Sequence, residues 1–328
     1  MGKKKQKLKR IASPYNLKET LGYFIRNFIG PSVKNKGIVE YIPSPYILNE
    51  GVIPKYNVAF IGDIMDMRGK SEIIDENLKE FVRDCDYLIG NFEATITKAK
   101  GAYMCQKHIP QIMNALGDLF PPEKTYLSMA NNHAGDFGKE IFLESVDKLH
   151  SRGFNIFGWN KQPYWDINKD LRVTAATAWS NQKMDYVFML KNAGKYVKKN
   201  VFNLLYPHWG YELETYPRPK TVEEGKKWIK KFDAIIGTHS HVPQAVTAVE
   251  SENNNGVNKL IAYSLGDFCI EEKLKHYHYG IVLKIGIGQN RAGFWQIGLI
   301  EWHFTRCKSL SETECITTIV LKFPYLKK

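Results

Sequence analysis

The sequence predicts an α/β protein: a largely parallel, covered sheet followed by a β-rich, antiparallel C-terminal part. Three observations carry this. Short apolar runs alternate with helix-period stretches from about residue 57 to 236. Several of those runs end in Asp, Glu, Asn or His. From about residue 245 the helical stretches stop and strand-like segments follow one another, separated by turns.

The chain has 328 residues, 44% of them hydrophobic and 13% aromatic, enough for a large core. Residues 1–50 read as a basic N-terminal arm and linker, and 51–328 as the folded domain. The arm holds Lys3, Lys4, Lys5, Lys7, Lys9 and Arg10 and no acid through residue 10, half of the net charge of +12. It reads equally as a solvated tail or as a contact for an anionic membrane surface or RNA. The remainder is only mildly basic, so nucleic acid is not the expected partner. A short amphipathic stretch, 21–29, either docks on a bilayer or packs on the domain, with packing favoured. Pro43, Pro45 and Pro54 punctuate the linker.

The first strand is Asn57-Val58-Ala59-Phe60-Ile61, ending at Gly62-Asp63. A helix is expected over 72–83. Strand 87–93 ends in Glu93, and 94–110 reads as loop. A short helix over 111–119 precedes strand 125–129, which runs into Asn131-Asn132-His133. Residues 136–149 have helical periodicity, with Gly153 suited to end the helix. Further strands are expected at 154–157, 171–177, 185–190 and 201–206, the last running into His208. A helix over 221–231 leads to the apolar run 232–236 and then Gly237-Thr238-His239-Ser240-His241. The β-rich tail is read as strands at 245–250, 259–263, 279–287, 293–304 and 314–323.

No run approaches the ~18 apolar residues of a membrane span. No apolar h-region follows the charged start, so no signal peptide is expected. Five cysteines, none in a Cys-x-x-Cys pair, argue against a disulfide framework or a cysteine zinc site and fit a reduced compartment. A cytoplasmic location follows, with contact at the inner membrane surface left open through the arm.

Asp63, Glu93, Asn132, His133, His208, His239 and His241 each have an ordinary reading as turn former, loop acid or polar loop residue. Together they matter more. Strand ends on one edge of a parallel sheet converge in space. A set of carboxylates, amide oxygen and imidazoles suits a hydrolytic metal centre.

The ordered motifs Gly62-Asp63, Asn91-Phe92-Glu93, Asn132-His133-Ala134-Gly135-Asp136-Phe137-Gly138, His208-Trp209-Gly210, Gly237-Thr238-His239-Ser240-His241 and Tyr263-Ser264-Leu265-Gly266-Asp267-Phe268 resemble the CapA family of bacterial capsule (poly-γ-glutamate) synthesis proteins. Arg68 matches the Arg closing that family's first motif. The resemblance runs from about 56 to 270.

It implies a four-layer α/β/β/α sandwich of calcineurin-like metallophosphoesterase type. It implies one or two divalent ions, Mn, Zn, Fe or Mg. Asp63 and His241 would bind one, Asn132, His208 and His239 the other, with Glu93 bridging. His133 would be a general acid, Asp136 would orient it, Glu212 would support catalysis, and Arg68 would meet an anionic substrate. The expected function is hydrolysis of a phosphoester or related anionic substrate linked to capsule or envelope polymer synthesis. The alternative is a non-catalytic accessory factor for poly-γ-glutamate or capsule polymer assembly.

There are departures. Met65 stands where calcineurin-like enzymes have a His ligand, so the position beside His241 is expected to lack a ligand and a single ion on the His239 side is favoured. Asp66 replaces an apolar residue. Asp267 replaces an Asn and reads either as a cation-binding carboxylate or as a turn cap, with the cap favoured.

Overall fold

The computed structural model describes residues 13–102, 104–250 and 257–326. The Lys3–Arg10 cluster lies outside the described residues.

Two sheets form the centre. The path of the larger, ten-stranded sheet runs Ser71–Ile74, Glu314–Val320, Trp295–Ser309, Tyr279–Gln289, Ile53–Ile64, Tyr87–Phe92, Thr125–Ser128, Asn155–Phe157. From Ile53–Ile64 onward its strands are parallel, as the alternating pattern predicts. The C-terminal strands Tyr279–Gln289, Trp295–Ser309 and Glu314–Val320 pair antiparallel, as expected of the β-rich tail. The second sheet has six strands, with a parallel centre of Leu171–Thr177, Phe202–His208, Ala234–Ile236 and Asn258–Ala262. These central strands are buried along most of their length, which is why they read as continuous apolar runs.

The sheets pack face to face. Phe60 stacks on Tyr206 with ring centroids 6.3 Å apart, and the Tyr206 hydroxyl donates to the Ile61 carbonyl at 2.6 Å. Helices Glu76–Val82, Ile112–Leu119 and Gly138–Ser151 pack on the larger sheet. Helix Pro219–Ile229 covers the second through Val222 and Ile229, which meet Leu205, Ile235 and Ile261. The order is helix, sheet, sheet, helix, the expected sandwich.

Three local expectations are corrected. Residues 71–74 are a strand, not the start of a helix. Their burial alternates, with Glu72 and Ile74 inward, and the helix starts only after Asp75 caps the Asn77 amide. Residues 185–190 form no strand. Val187 and Met189 make isolated bridges, and a 3-10 helix follows at Leu190–Tyr196. The loop 94–110 contains a two-residue pairing of Thr95–Ile96 with Lys107–His108. The described part of the N-terminal segment packs on the domain, the outcome favoured for 21–29. Helix Leu17–Ile29 docks beside the strand ends, and Tyr46–Ile47 pairs with Trp295–Ser309.

Two glycines let the strand ends close up. A Cβ on Gly62 would lie 2.0 Å from the Gly266 carbonyl oxygen, and one on Gly237 would lie 2.2 Å from that of Tyr263. Each precedes a candidate site segment. Gly62→Ala is therefore expected to destabilise the protein by about 1–3 kcal/mol through backbone displacement. Gly117→Ala, in a helix where the added carbon makes only a 3.6 Å contact, is expected to stabilise by up to about 1 kcal/mol. Urea unfolding of the two variants checks the opposite signs.

Candidate metal centre

Asp63 stands near the end of strand Ile53–Ile64, and Glu93 follows strand Tyr87–Phe92 directly. His208 closes strand Phe202–His208, and His239 and His241 follow Ala234–Ile236. The four helix-and-sheet layers thus deliver these side chains to one buried point between the two sheets. All five are less than 5% exposed.

The turn carrying the last two is bent hard. His239 has φ 97° and His241 φ 54°, a region that residues with a Cβ seldom adopt. The His239 amide donates to Asp63 Oδ2 at 2.9 Å, which fixes the turn against the first strand.

The donor atoms form overlapping groups, each within 4.8 Å: Asp63 with Glu93 and His208; Glu93 with His239 and His241; Asp63 with His241 and Asp267. Glu93 and Asp63 each belong to two groups. Glu93 Oε1 lies 3.3 Å from His208 Nε2, 3.7 Å from His241 Nε2 and 4.0 Å from His133 Nε2. Asn132 Oδ1 accepts from His208 Nε2 at 2.6 Å. Every sequence-predicted metal residue is therefore brought together.

The structure also tests whether a cation suits this place. Glu93 Oε1, His239 Nδ1 and Asp267 Oδ2 are buried atoms without a hydrogen-bond partner. Buried acceptors left in that condition are costly, and a bound cation would satisfy them. Mixed carboxylate, amide and imidazole donors suit a divalent transition ion or Mg. The residues fit the group.

Asp267 is a correction. It does not serve as an exposed turn cap. It is fully buried, beside Asp63 in the sheet register, and its Oδ1 accepts from His241 Nδ1 at 2.8 Å. Met65 is buried among apolar side chains and offers no nitrogen or oxygen. Asp267 supplies a carboxylate at the His241 side, where the sequence predicts a missing ligand.

His133 Nδ1 and Asp136 Oδ2 are 2.5 Å apart, and Asp136 Oδ2 also accepts from the Gln106 amide at 2.9 Å. Glu212 is buried and lines the same cavity of about 510 Å³ as His133 and His241. Arg68 is at the rim. It has φ 48° and pairs with Glu272, so its guanidinium is not turned on the buried donors.

Several further residues take part in the site without having been assigned a role from the sequence. Asn91 Nδ2 donates to Asp63 Oδ1 at 2.7 Å. Asn181 accepts from Asn132 Nδ2 at 3.0 Å and reaches His133 Nδ1 at 3.2 Å. Tyr15, just before the N-terminal helix, places its hydroxyl 2.8 Å from His239 Nε2 and 3.2 Å from the Glu212 amide, which donates to it. Its ring packs on Trp179 and Tyr211. With Nε2 engaged by Tyr15, Nδ1 is the ring nitrogen of His239 left without a hydrogen-bond partner. Only Asn91 could have been found, by its place two residues before Glu93 on one strand.

Electrostatics follow from burial. Desolvation, then the Glu93 charge, raises Asp63 to about 7. Desolvation also raises Glu93, Glu212 and Asp267. It lowers His208 to about 3 and lowers His239. Desolvation would also lower His241 and His133, but Asp267 and Asp136 respectively outweigh it and raise them.

An acid whose folded pKa exceeds its unfolded value of 3.8 binds more protons when folded. The stability it contributes is lost as pH climbs from about 4 to about 7. Asp63→Asn removes that loss. In chelator-treated protein its stability relative to wild type is expected to rise over this window, by about 4 kcal/mol at most. Thermal melts at both ends of the window check this; a constant difference contradicts it.

Comparison with known proteins agrees with the motif order. Residues 57–272 match the family model described as bacterial capsule synthesis protein PGA_cap. The PGA biosynthesis protein CapA of Bacillus subtilis (strain 168) is 23% identical, over 75% of this chain and 72% of its own length. Among solved structures, a hypothetical protein from Thermus thermophilus aligns with 76% of this chain and 98% of its own, at 14% identity and a TM-score of 0.44. The chain belongs to the PGA_cap family of bacterial capsule synthesis proteins.

Proposed function

We propose that this protein is a metal-dependent hydrolase of phosphoesterase type. It acts on a phosphoester or related anionic substrate in capsule or envelope polymer synthesis. The observation that carries this is the buried convergence of Asp63, Glu93, His208, His239 and His241, with unpartnered acceptors at Glu93 and His239. Asp63, Glu93, Asn132, His208, His239, His241 and Asp267 would hold one or two divalent ions, of which Mn, Zn, Fe and Mg are all compatible with these donors. A bound ion supplies Lewis acidity toward a phosphoryl oxygen and an activated water.

The other roles belong to side chains. Asp136 holds His133 by Nδ1, which leaves Nε2 toward the Glu93 side of the cavity. There it donates a proton to the leaving oxygen, as a general acid must from about 3 Å. The Asp136 carboxylate favours the protonated ring this requires. Glu212 shares the cavity wall, and burial raises its carboxyl above the usual range, which favours the protonated form that can donate a hydrogen bond to an anion. Arg68 meets the substrate at the rim once it exchanges Glu272 for an anionic group. Asp66, Glu271 and Glu272 also line the cavity. Arg68 and Lys273 stand among them, so the lining carries both signs, and a resident cation would favour entry of an anionic substrate.

The name of the B. subtilis relative favours a second reading, in which the same cation site binds polymer without hydrolysis. One set of measurements separates the two. Purified protein is expected to hold at least one divalent ion per chain, lost in His208→Ala and in His239→Ala. His133→Ala is expected to keep the ion and to lower hydrolysis of a generic aryl phosphodiester by about 10²–10⁴-fold. Ion content without any turnover supports the binding reading. Absence of ion from the wild-type protein removes both.

A further inference from the structure

Helix Leu17–Ile29 is docked the wrong way round for a soluble protein. The side facing the domain carries Glu19, Arg26 and Asn27 together with Tyr23 and Phe24, which pack on the core. Glu19 pairs with Arg26 and Arg218, the Arg26 side chain donates to the Glu212 carbonyl at 2.9 Å, and Asn27 Oδ1 accepts from the Tyr277 hydroxyl at 2.7 Å. Its apolar side faces out. Leu17 is 87% exposed, Leu21 61%, Ile25 51%, Phe28 81% and Ile29 83%.

The spacing of Leu17, Leu21, Ile25 and Phe28 places them on one stripe, with Lys18 at its side. A helix that buries its ion pairs and exposes its leucines gains nothing from water on that face. Among the described residues this is the one helix with such a run of exposed apolar side chains.

We propose that this stripe is a docking surface for an anionic lipid bilayer, with the helix lying in the membrane interface. Charge chooses the partner. Lys3, Lys4, Lys5, Lys7, Lys9 and Arg10 immediately precede the helix in sequence, and no acid stands among them. Apolar side chains at interfacial depth together with a basic cluster at headgroup level are the two signals that stable peripheral anchoring requires. The described residues contain no helix long and apolar enough to cross a membrane.

The position of the helix gives the attachment a consequence. Pro14, Tyr23 and Asn27 line the candidate catalytic cavity, and Tyr15 touches His239. A bilayer against the outer stripe therefore sits next to the mouth of the site, where it would present headgroup-borne or membrane-tethered substrates. The docking itself is independent of the metal-centre reading.

The test uses the full chain in flotation with vesicles of phosphatidylcholine alone and of phosphatidylcholine mixed with phosphatidylglycerol. Wild type is expected to float with the mixed vesicles and at least tenfold less with the neutral ones. Leu21→Glu/Phe28→Glu and, separately, Lys3→Glu/Lys4→Glu/Lys5→Glu are each expected to lower binding at least tenfold. Leu21 and Phe28 are exposed and are not among the metal donors, so the melting temperature and ion content of that variant should not change. Wild type that ignores mixed vesicles, or a Leu21→Glu/Phe28→Glu protein that binds like wild type, overturns the proposal. So does a wild-type dimer that becomes monomeric in Leu21→Glu/Phe28→Glu without vesicle binding, which would make a second copy the occupant of the stripe.

Discussion

Three carboxylates, Asp63, Glu93 and Asp267, are held at one fully buried point. Like charges cannot share a dry interior without neutralisation. His241, set between Asp63, Glu93 and Asp267, relieves part of this, and burial raises all three acids, which favours their neutral forms. Glu93 Oε1 is still left without a partner. Much of the surrounding design serves this cluster. Gly62 and Gly237 allow the close approach, the strained turn at His239 and His241 aims the rings, and Asn91 holds Asp63.

The N-terminal segment belongs to the same system. Tyr15 fixes the far side of His239, and the helix is clamped to the domain by Arg26 on Glu214 and by Arg218 on Glu19. Orienting a ligating histidine by a hydrogen bond on its other nitrogen is a common way to set its tautomer and basicity. The price of that placement is a helix whose polar residues are turned inward. Its apolar side is left on the outside, and an interfacial environment would make this stable. Site geometry and the proposed surface attachment thus rest on two faces of one helix.

The strand ends are legible in the sequence because a buried parallel strand is an apolar run with an abrupt polar stop, and its stop marks the sheet edge. That rule alone locates Asp63, Glu93, Asn132, His208, His239 and His241, and the order of their motifs locates the family. What cannot be read lies across long sequence separations. Tyr15 meets His239 over 224 residues and Asn181 meets His133 over 48, with no periodicity to announce either. Asp267 misleads because an Asp after Gly266 fits a turn locally. Only the parallel pairing with Asp63 turns it inward. Residues 72–74 mislead because an alternating Glu-Ile-Ile is too short to separate a strand from the first turn of the helix that follows it.

The central claim is that a cation completes the buried carboxylate and imidazole cluster. Anomalous diffraction from crystals equilibrated with Mn²⁺ tests it directly. The account predicts an anomalous peak about 2.0–2.2 Å from donor atoms of Glu93, His208 and His239, or of Asp63, His241 and Asp267. Crystals saturated with the ion that show no peak among these side chains, with Glu93 Oε1 satisfied by an ordered water instead, would contradict it.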